Sequence, residues 1–434
     1  MVLSWVCQLP LLACRDRSLS DGSLVPGFHL MKKLRLVVVG TLASEPYAGM
    51  AWMNMQIVVG LRRLGHDAWY FETTSGWPYD PIRGTRVTDS AYAVPYLSRV
   101  ASKFGVGNRW AYRRSYLDKE WFGLPRERAE EVLGTADAVF NVAGASRFAE
   151  EKLKTGPLIY FGTDPVYHEL AYAGGDPISA EIVNEHEASV TYGESIGLDS
   201  CLIPPLPHLK ARTRQPVLLD CWRSDPTSRA AYTTVGNWKQ EGRDVFYGGE
   251  RYFWSKHYEF LKFIDLPRKV GVELELATNL ADPSTIRHGV EDVVKTMGMD
   301  DGSSAMLLEN GWSLVSGSEF SLDPWSYRDY IQQSRGEFTV ARDLNVRLSS
   351  GWFSERSACY LAAGKPVITQ DTGFGTVIPT GAGLFAFNTM EEIVAAFEAV
   401  ESDYERHSRA ARGIAEDYFK AETVLAKLLG DLGL

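Results

Sequence analysis

Ser349-Ser350-Gly351-Trp352-Phe353-Ser354-Glu355-Arg356-Ser357-Ala358-Cys359-Tyr360-Leu361-Ala362-Ala363-Gly364-Lys365-Pro366-Val367-Ile368 reads in order as a loop, a helix and a buried strand. Ser354 is a residue type that caps helix starts, and Gly364 is the type that ends them in the left-handed region. Between them lie about two and a half helical turns, and Pro366-Val367-Ile368 then begins an apolar run. A helix delivered by a glycine into a buried strand is half of a doubly wound α/β unit.

The same alternation continues outward from this segment. In the second half, Pro216–Leu219, Thr233–Val235, Val272–Leu276, Ala305–Leu308 and Phe338–Val340 are further predicted strands. In the first half, Leu36–Val39 leads through the loop Gly40–Gly49 into a helix. That helix carries Met50, Met53, Ile57, Val58, Leu61 and Leu64 and ends at Gly65; a strand follows at Ala68–Phe71. Such a β-α-β opening predicts a parallel sheet. Ala138–Val142, Leu158–Phe161 and Ser189–Tyr192 fit the same sheet, whereas residues 76–125, rich in Trp, Tyr, Arg and Pro, read as an insertion.

Ile203-Pro204-Pro205-Leu206-Pro207-His208, followed by Lys210, Arg212 and Arg214, marks a boundary. The expected organisation is a disordered extension over 1–30, a first Rossmann-like domain over 31–207, a linker over 208–215 and a second α/β domain over 216–434. Glu391–Leu428 reads as two long helices able to pack back across the junction. The extension is assigned from Met31-Lys32-Lys33-Leu34-Arg35, which runs directly into the first strand. The apolar stretch Val2–Cys14 is interrupted by Pro10 and is too short to span a bilayer.

Composition narrows the function. The 434 residues carry 45 Lys+Arg against 55 Asp+Glu, a formal net charge of -10, without a basic run to coat nucleic acid or an anionic membrane. Five unpaired-looking cysteines, Cys7, Cys14, Cys201, Cys221 and Cys359, suit reduced thiols and a cytoplasmic location. No metal-ligand motif is present, so metal-independent chemistry is expected. Neither a dinucleotide glycine fingerprint nor a Walker loop occurs, since Gly364-Lys365 is followed by Pro366. Gly193-Glu194-Ser195-Ile196-Gly197 has the form of a hydrolase nucleophile elbow, but an extended segment follows it instead of a helix, so a plain turn is expected. His66, beside Gly65, reads as a helix-end residue and not as a catalytic base.

The segment with which we began also resembles a family. Phe353, the entry Gly364-Lys365-Pro366-Val367-Ile368 and the loop Asp371-Thr372-Gly373 are similar to the second domain of GT-B fold glycosyltransferases, of the group-1 type and its spore-maturation-protein-like relatives. Gly40–Gly49 and Gly60-Leu61-Arg62-Arg63-Leu64-Gly65-His66-Asp67 resemble the acceptor-side loop and first helix of that fold. The resemblance implies two Rossmann-like doubly wound domains facing across a cleft. It implies transfer of a sugar from a nucleotide-diphosphate sugar, UDP or dTDP being the first expectation, with no further cofactor. The group-1 pattern has two glutamates eight positions apart, and here those positions hold Gly351 and Cys359. Retention or inversion at the anomeric carbon therefore does not carry over, and Glu355 is the nearest carboxylate able to substitute.

The residues expected to form the site follow from the resemblance and from the ends of the strands, where doubly wound sheets bind ligands. On the donor side these are Gly236-Asn237-Trp238, Gly311 and Trp312 after the strand assigned to Ala305–Leu308, Glu337, Phe353, Ser354, Glu355, Thr372 and Gly373. Arg356 and Lys256 are expected to meet the leaving diphosphate. Asp164, in Gly162-Thr163-Asp164-Pro165, is expected to orient or deprotonate an acceptor hydroxyl. His168 lies a turn further on, and Pro46, Tyr47 and Gly49 complete the acceptor side. Two alternatives stay open: a catalytically silent nucleotide-sugar binder, and a sugar-nucleotide epimerase of the same fold.

Overall fold

Leu36, Val37, Val38 and Val39 are completely buried at the centre of a parallel sheet, as their unbroken apolar run dictates. The computed structural model describes residues 32–199, 201–223, 229–240, 242–279 and 302–434, so the expected extension over 1–30 lies outside the described residues. The first sheet contains β1 (Arg35–Val39), β2 (Asp67–Glu72), β5 (Trp110–Arg113), β6 (Trp121–Gly123), β7 (Ala138–Val142), β8 (Leu158–Gly162), β9 (Ala188–Thr191) and β10 (Leu209–Arg212). Their order is β10-β9-β8-β7-β1-β2-β5-β6, parallel except for β6 against β5. A small hairpin, β3 (Tyr79–Asp80) with β4 (Thr85–Arg86), stands apart from it.

The second sheet is parallel throughout, in the order β15-β14-β11-β16-β17-β18. Its strands are β11 (Tyr232–Val235), β14 (Leu274–Thr278), β15 (Ser313–Ser316), β16 (Gly336–Thr339), β17 (Val367–Gln370) and β18 (Leu384–Phe387). A hairpin, β12 (Val245–Tyr247) with β13 (Glu250–Tyr252), packs against the first-lobe helix Tyr167–Ala173. Both sheets belong to one unit, Leu34–Leu434, of two doubly wound lobes.

Four expectations are corrected. The supposed linker 208–215 contains β10, paired in parallel with β9 at the sheet edge. Residues 76–125 are not a separate insertion, because β5 and β6 extend the first sheet and the helix Ala93–Lys103 buries Tyr96, Leu97 and Val100 in its core. Ala305–Leu308 belongs to the helix Ser303–Glu309. Pro216–Leu219 is no sheet strand: Val217 makes an isolated bridge to Lys420, and a 3-10 turn follows at Leu219–Cys221.

The C-terminal region does return across the junction, as three helices: Met390–Ser402, Tyr404–Ile414 and Ala421–Leu432. The last packs on the first helix, Ala48–Arg63, and puts Leu425, Leu428 and Leu429 into the same core as Leu36 and Val38. A Cβ on Gly60 would meet Leu425 Cδ1 at 2.5 Å and Ala421 Cβ at 3.1 Å, which shows how closely the two helices approach. Leu425→Ala is expected to destabilise the protein by about 2–5 kcal/mol. The exposed control Lys427→Ala should stay within about 0.5 kcal/mol of wild type, both read from urea unfolding curves.

Candidate active site

The carboxyl ends of β8, β11 and β16 bring five charged side chains from both lobes together. Arg356, in the first turn of the helix Glu355–Ala362, donates from Nε to Glu337 Oε1 at 2.6 Å and from Nη2 to Thr339 Oγ1 at 2.9 Å. Its Nη1 donates to the carbonyl of Val235, the last residue of β11. Glu337 is fully buried and has one oxygen, Oε2, without a hydrogen-bond partner. Arg356 is thus a fixed cation whose three nitrogens all have protein partners, and Glu337, expected to touch the nucleotide, is its ion-pair partner.

Two more cations stand in front of that pair. Lys256 Nζ lies 5.6 Å from the centre of the Trp352 ring. Desolvation, then Arg356 and Arg342, hold its amine well below the usual lysine range. Arg342 follows β16 and lies over Trp254 at 3.7 Å. Its Nη1 pairs with Asp164, its Nη2 reaches Gln240 Oε1 at 3.5 Å, and its Nε is buried without a partner. Asp164 belongs to the first lobe, just beyond β8, as the sequence predicts. Three basic side chains thus face two carboxylates at the cleft.

The loop into the Glu355 helix is held by both lobes. Ser349 and Gly351 take positive φ, 49° and 73°, and the Gly351 N–H donates to Thr372 O at 2.7 Å. Trp352 bridges to Gly193, its indole donates to Thr163 O at 3.3 Å, and the Ser195 N–H donates to Ser350 O at 3.1 Å. The hydrolase-like pentapeptide is therefore a turn that clamps the lobes. A Cβ on Gly351 would stand 2.6 Å from both Ser195 N and Ser195 Oγ, so no glutamate fits at that family position.

The other family position, Cys359, is completely buried, and its thiol donates to Glu355 Oε1 at 3.3 Å. Gln56 of the first helix donates to the same oxygen at 2.9 Å, while its own Oε1 accepts from the Leu218 N–H at 3.0 Å and the Trp222 indole at 3.2 Å. Burial lifts the Glu355 carboxyl from 4.5 to about 7, with Cys359, Arg356 and Gln56 opposing that rise.

Several sequence-predicted residues are placed elsewhere. Trp238 and Trp312 are buried in the second-lobe core, and the Trp312 indole donates to Ile264 O at 2.7 Å. Gly311 is the turn at the end of a helix, with φ 91°, so neither it nor Trp312 follows a strand. Phe353 packs between Phe374 and Phe419. Ser354 occupies the cap position without a side-chain cap bond. His168 is edge-on to Tyr160 and Tyr167, bonds Ser179 Oγ at 3.2 Å, and is pushed down to about 4 chiefly by burial. His66 accepts from the Leu34 N–H at 3.3 Å, a structural role as expected.

Gly236 and Asn237 are exposed at the end of β11, and the Gly236 Cβ position is 3.9 Å from Arg356. Thr372 binds the Trp352 carbonyl at 2.5 Å, and Gly373 has φ 88°. On the first lobe, Glu72 accepts from the Ala43 and Ser44 N–H groups at 2.8 and 2.7 Å, which fixes the loop that presents Pro46, Tyr47 and Gly49. Tyr47 stacks on Tyr79 at 5.9 Å, and its hydroxyl is pushed up to about 12 by burial and then by Tyr79 and Glu45. Arg342, Gln56 and Gln240 were not foreseen from the sequence. The available signal was an arginine directly after an apolar strand, in Val340-Ala341-Arg342.

Among the described residues no group of three or more His, Cys, Asp or Glu side chains is arranged to hold a metal ion. No helix of the described residues is long and apolar enough to cross a membrane.

No family model matches the chain, and no curated protein matches it. Solved structures do share its architecture, which is the GT-B fold. HepE of Anabaena in complex with UDP-glucose superposes with a TM-score of 0.53 at 11% identity, over 92% of this chain and 99% of that one. A sucrose-phosphate synthase of Thermosynechococcus elongatus gives 0.51 at 12% identity, over 92% and 97%. A glycosyltransferase of Rickettsia africae gives 0.51 at 11%, with the same coverage.

A carboxyl group whose pKa is raised on folding stabilises most below its unfolded value, and that contribution is lost as pH rises through the folded one. Between pH 4.5 and about 7 wild type should lose stability through Glu355. In Glu355→Gln that part of the decline should be missing from melting temperatures measured across the interval. Equal slopes in the two proteins would contradict it.

Proposed function

We propose that the protein transfers a sugar from a nucleotide-diphosphate sugar, UDP-linked in the first instance, to an acceptor hydroxyl held by the first lobe. The observation that carries this reading is the cluster of Lys256, Arg342 and Arg356 at the carboxyl ends of β11 and β16, facing Asp164 across the cleft. Support comes from the fold it shares with HepE, whose structure holds UDP-glucose.

In the transfer, the acceptor oxygen bonds to the anomeric carbon while the bond from that carbon to the diphosphate breaks, its electron pair leaving on the phosphate. Lys256 and Arg342 meet the developing charge in a site with little water, with Arg356 fixed behind them. The Asp164 carboxylate takes the hydroxyl proton. Because the cations belong to the chain itself, the proposed reaction is independent of a metal ion. Tyr47, Tyr79 and the half-exposed Trp77 offer flat faces to a sugar or aromatic acceptor. The free thiols Cys201 and Cys359 suit a cytoplasmic enzyme.

The test is a binding and turnover panel without added metal, using UDP, dTDP, GDP, ADP and phosphate. One nucleotide is expected to raise the melting temperature, and Lys256→Met to weaken its binding by about tenfold or more. Since Lys256 regains its proton on binding, affinity should fall as pH rises, and Lys256→Arg should flatten that fall. Binding without turnover of the UDP-sugar selects the silent binder. Release of UDP without an acceptor selects the epimerase or a hydrolytic activity. No response to any nucleotide rejects the nucleotide reading.

A further inference from the structure

Resting on the nucleotide reading, we propose that the ion pair between Asp164 and Arg342 is an inter-lobe latch, in which Arg342 exchanges the Asp164 carboxylate for an oxygen of the bound diphosphate. The pair crosses from the loop after β8 to the loop after β16. It therefore ties the expected acceptor-side carboxylate to a donor-side cation.

Three observations make the exchange physically reasonable. Arg342 lies over the Trp254 ring, 3.7 Å from its centre, while its Nε is buried without a partner, so one donor of its planar fork is already unspent. Asp164 keeps 33% of its side chain exposed against 11% for Arg342, so the carboxylate can return to water where the guanidinium cannot. The segment behind Asp164 is strained: Val166, a β-branched residue, has φ 90° and ψ -47°, held there by its N–H on Glu169 Oε2 at 2.7 Å. A carboxylate and a diphosphate cannot both occupy the front of one guanidinium without like-charge repulsion. Arrival of the diphosphate therefore frees Asp164, which then faces the acceptor side as an unpaired base. Until then the base is masked.

The test is a double-mutant cycle in UDP affinity, read by calorimetry, on wild type, Asp164→Asn, Arg342→Gln and the double variant. Removing the competing carboxylate is expected to tighten UDP by about fivefold. Arg342→Gln should weaken it by about tenfold or more. With Arg342 already replaced, Asp164→Asn should change the affinity by less than about twofold. The same gain in both backgrounds would mean that Asp164 acts only through its general field, and would overturn the latch. Equal affinity of wild type and Asp164→Asn would overturn it too. If no form binds UDP while all remain folded by circular dichroism, the UDP site and the latch fall together. Should Arg342→Gln not fold, Arg342→Lys replaces it, and the gain from Asp164→Asn should shrink there, because an ammonium lacks the planar fork.

Discussion

Everything in the cleft depends on the burial of one helix between two cores. Ala48–Arg63 presents Met55, Val58 and Leu61 to the first lobe, while Ala48 and Trp52 join the core of the second. Trp52, 1% exposed, packs against Trp222, Trp325 and Phe104, and its indole donates to Pro324 O at 2.7 Å. Gln56 adds bonds to Leu218, Trp222 and Glu355. A helix packed on both sides leaves no slack between the sheets. The C-terminal helix Ala421–Leu432 closes the arrangement by lying on the same helix near Gly60. Apolar packing around this helix holds the lobes at one place, while the Asp164–Arg342 pair and the hydrogen bonds of Trp352 and Ser195 join them at the cleft.

That division explains why three cations in one place behave differently. Arg356 is neutralised by Glu337, a residue with no exposure, so it is a permanent element of the field and its removal would strand a buried carboxylate. Lys256 has no ion-pair partner among the described residues, and desolvation, then Arg356 and Arg342, push its amine down. Arg342 alone reaches across to the other lobe. The three groups are, respectively, an arginine paired within its own lobe, a desolvated lysine and a connection between the lobes.

Much of the fold was legible because buried parallel strands are short apolar runs ended by glycines and polar loops. Leu36–Val39, Ala138–Val142 and Leu158–Phe161 all belong to the sheet where their sequence puts them. Ala305–Leu308 was misread because four apolar residues have no period, and only a helix cap at Gly302, φ 89°, distinguishes them from a strand. Leu209–Arg212 was misread as linker because an edge strand alternates with charge, here Lys210 and Arg212, and so looks soluble. At the cleft, the sequence singled out Asp164, Lys256 and Arg356 from strand ends and charge, and the structure brings them near one another. Arg342 was not, since the residue that gives it meaning is Asp164, 178 positions away and in the other lobe. Trp238 and Trp312 show the converse: an aromatic after a glycine is a stacking surface or a core residue according to packing that the local sequence does not contain.

The two missing glutamates follow from the same packing. At Gly351 the backbone has φ 73° and presses on Ser195, whose turn clamps the first lobe to the second, so a side chain there would open the joint that positions Trp352 and Thr163. At Cys359 the helix faces Gln56 and the buried first helix, where a second carboxylate would have no water and would meet Glu355 at the same hydrogen-bond partner. The chain instead keeps one carboxyl group, Glu355, a single turn earlier on that face, with Gln56 and Cys359 both donating to it. Its raised pKa means that this carboxyl exchanges a proton near neutrality, which a solvated glutamate does not do. The packing at Gly351 and Cys359 thus leaves no room for a carboxylate at either position, and Glu355 is the acidic group on the helix that carries Arg356.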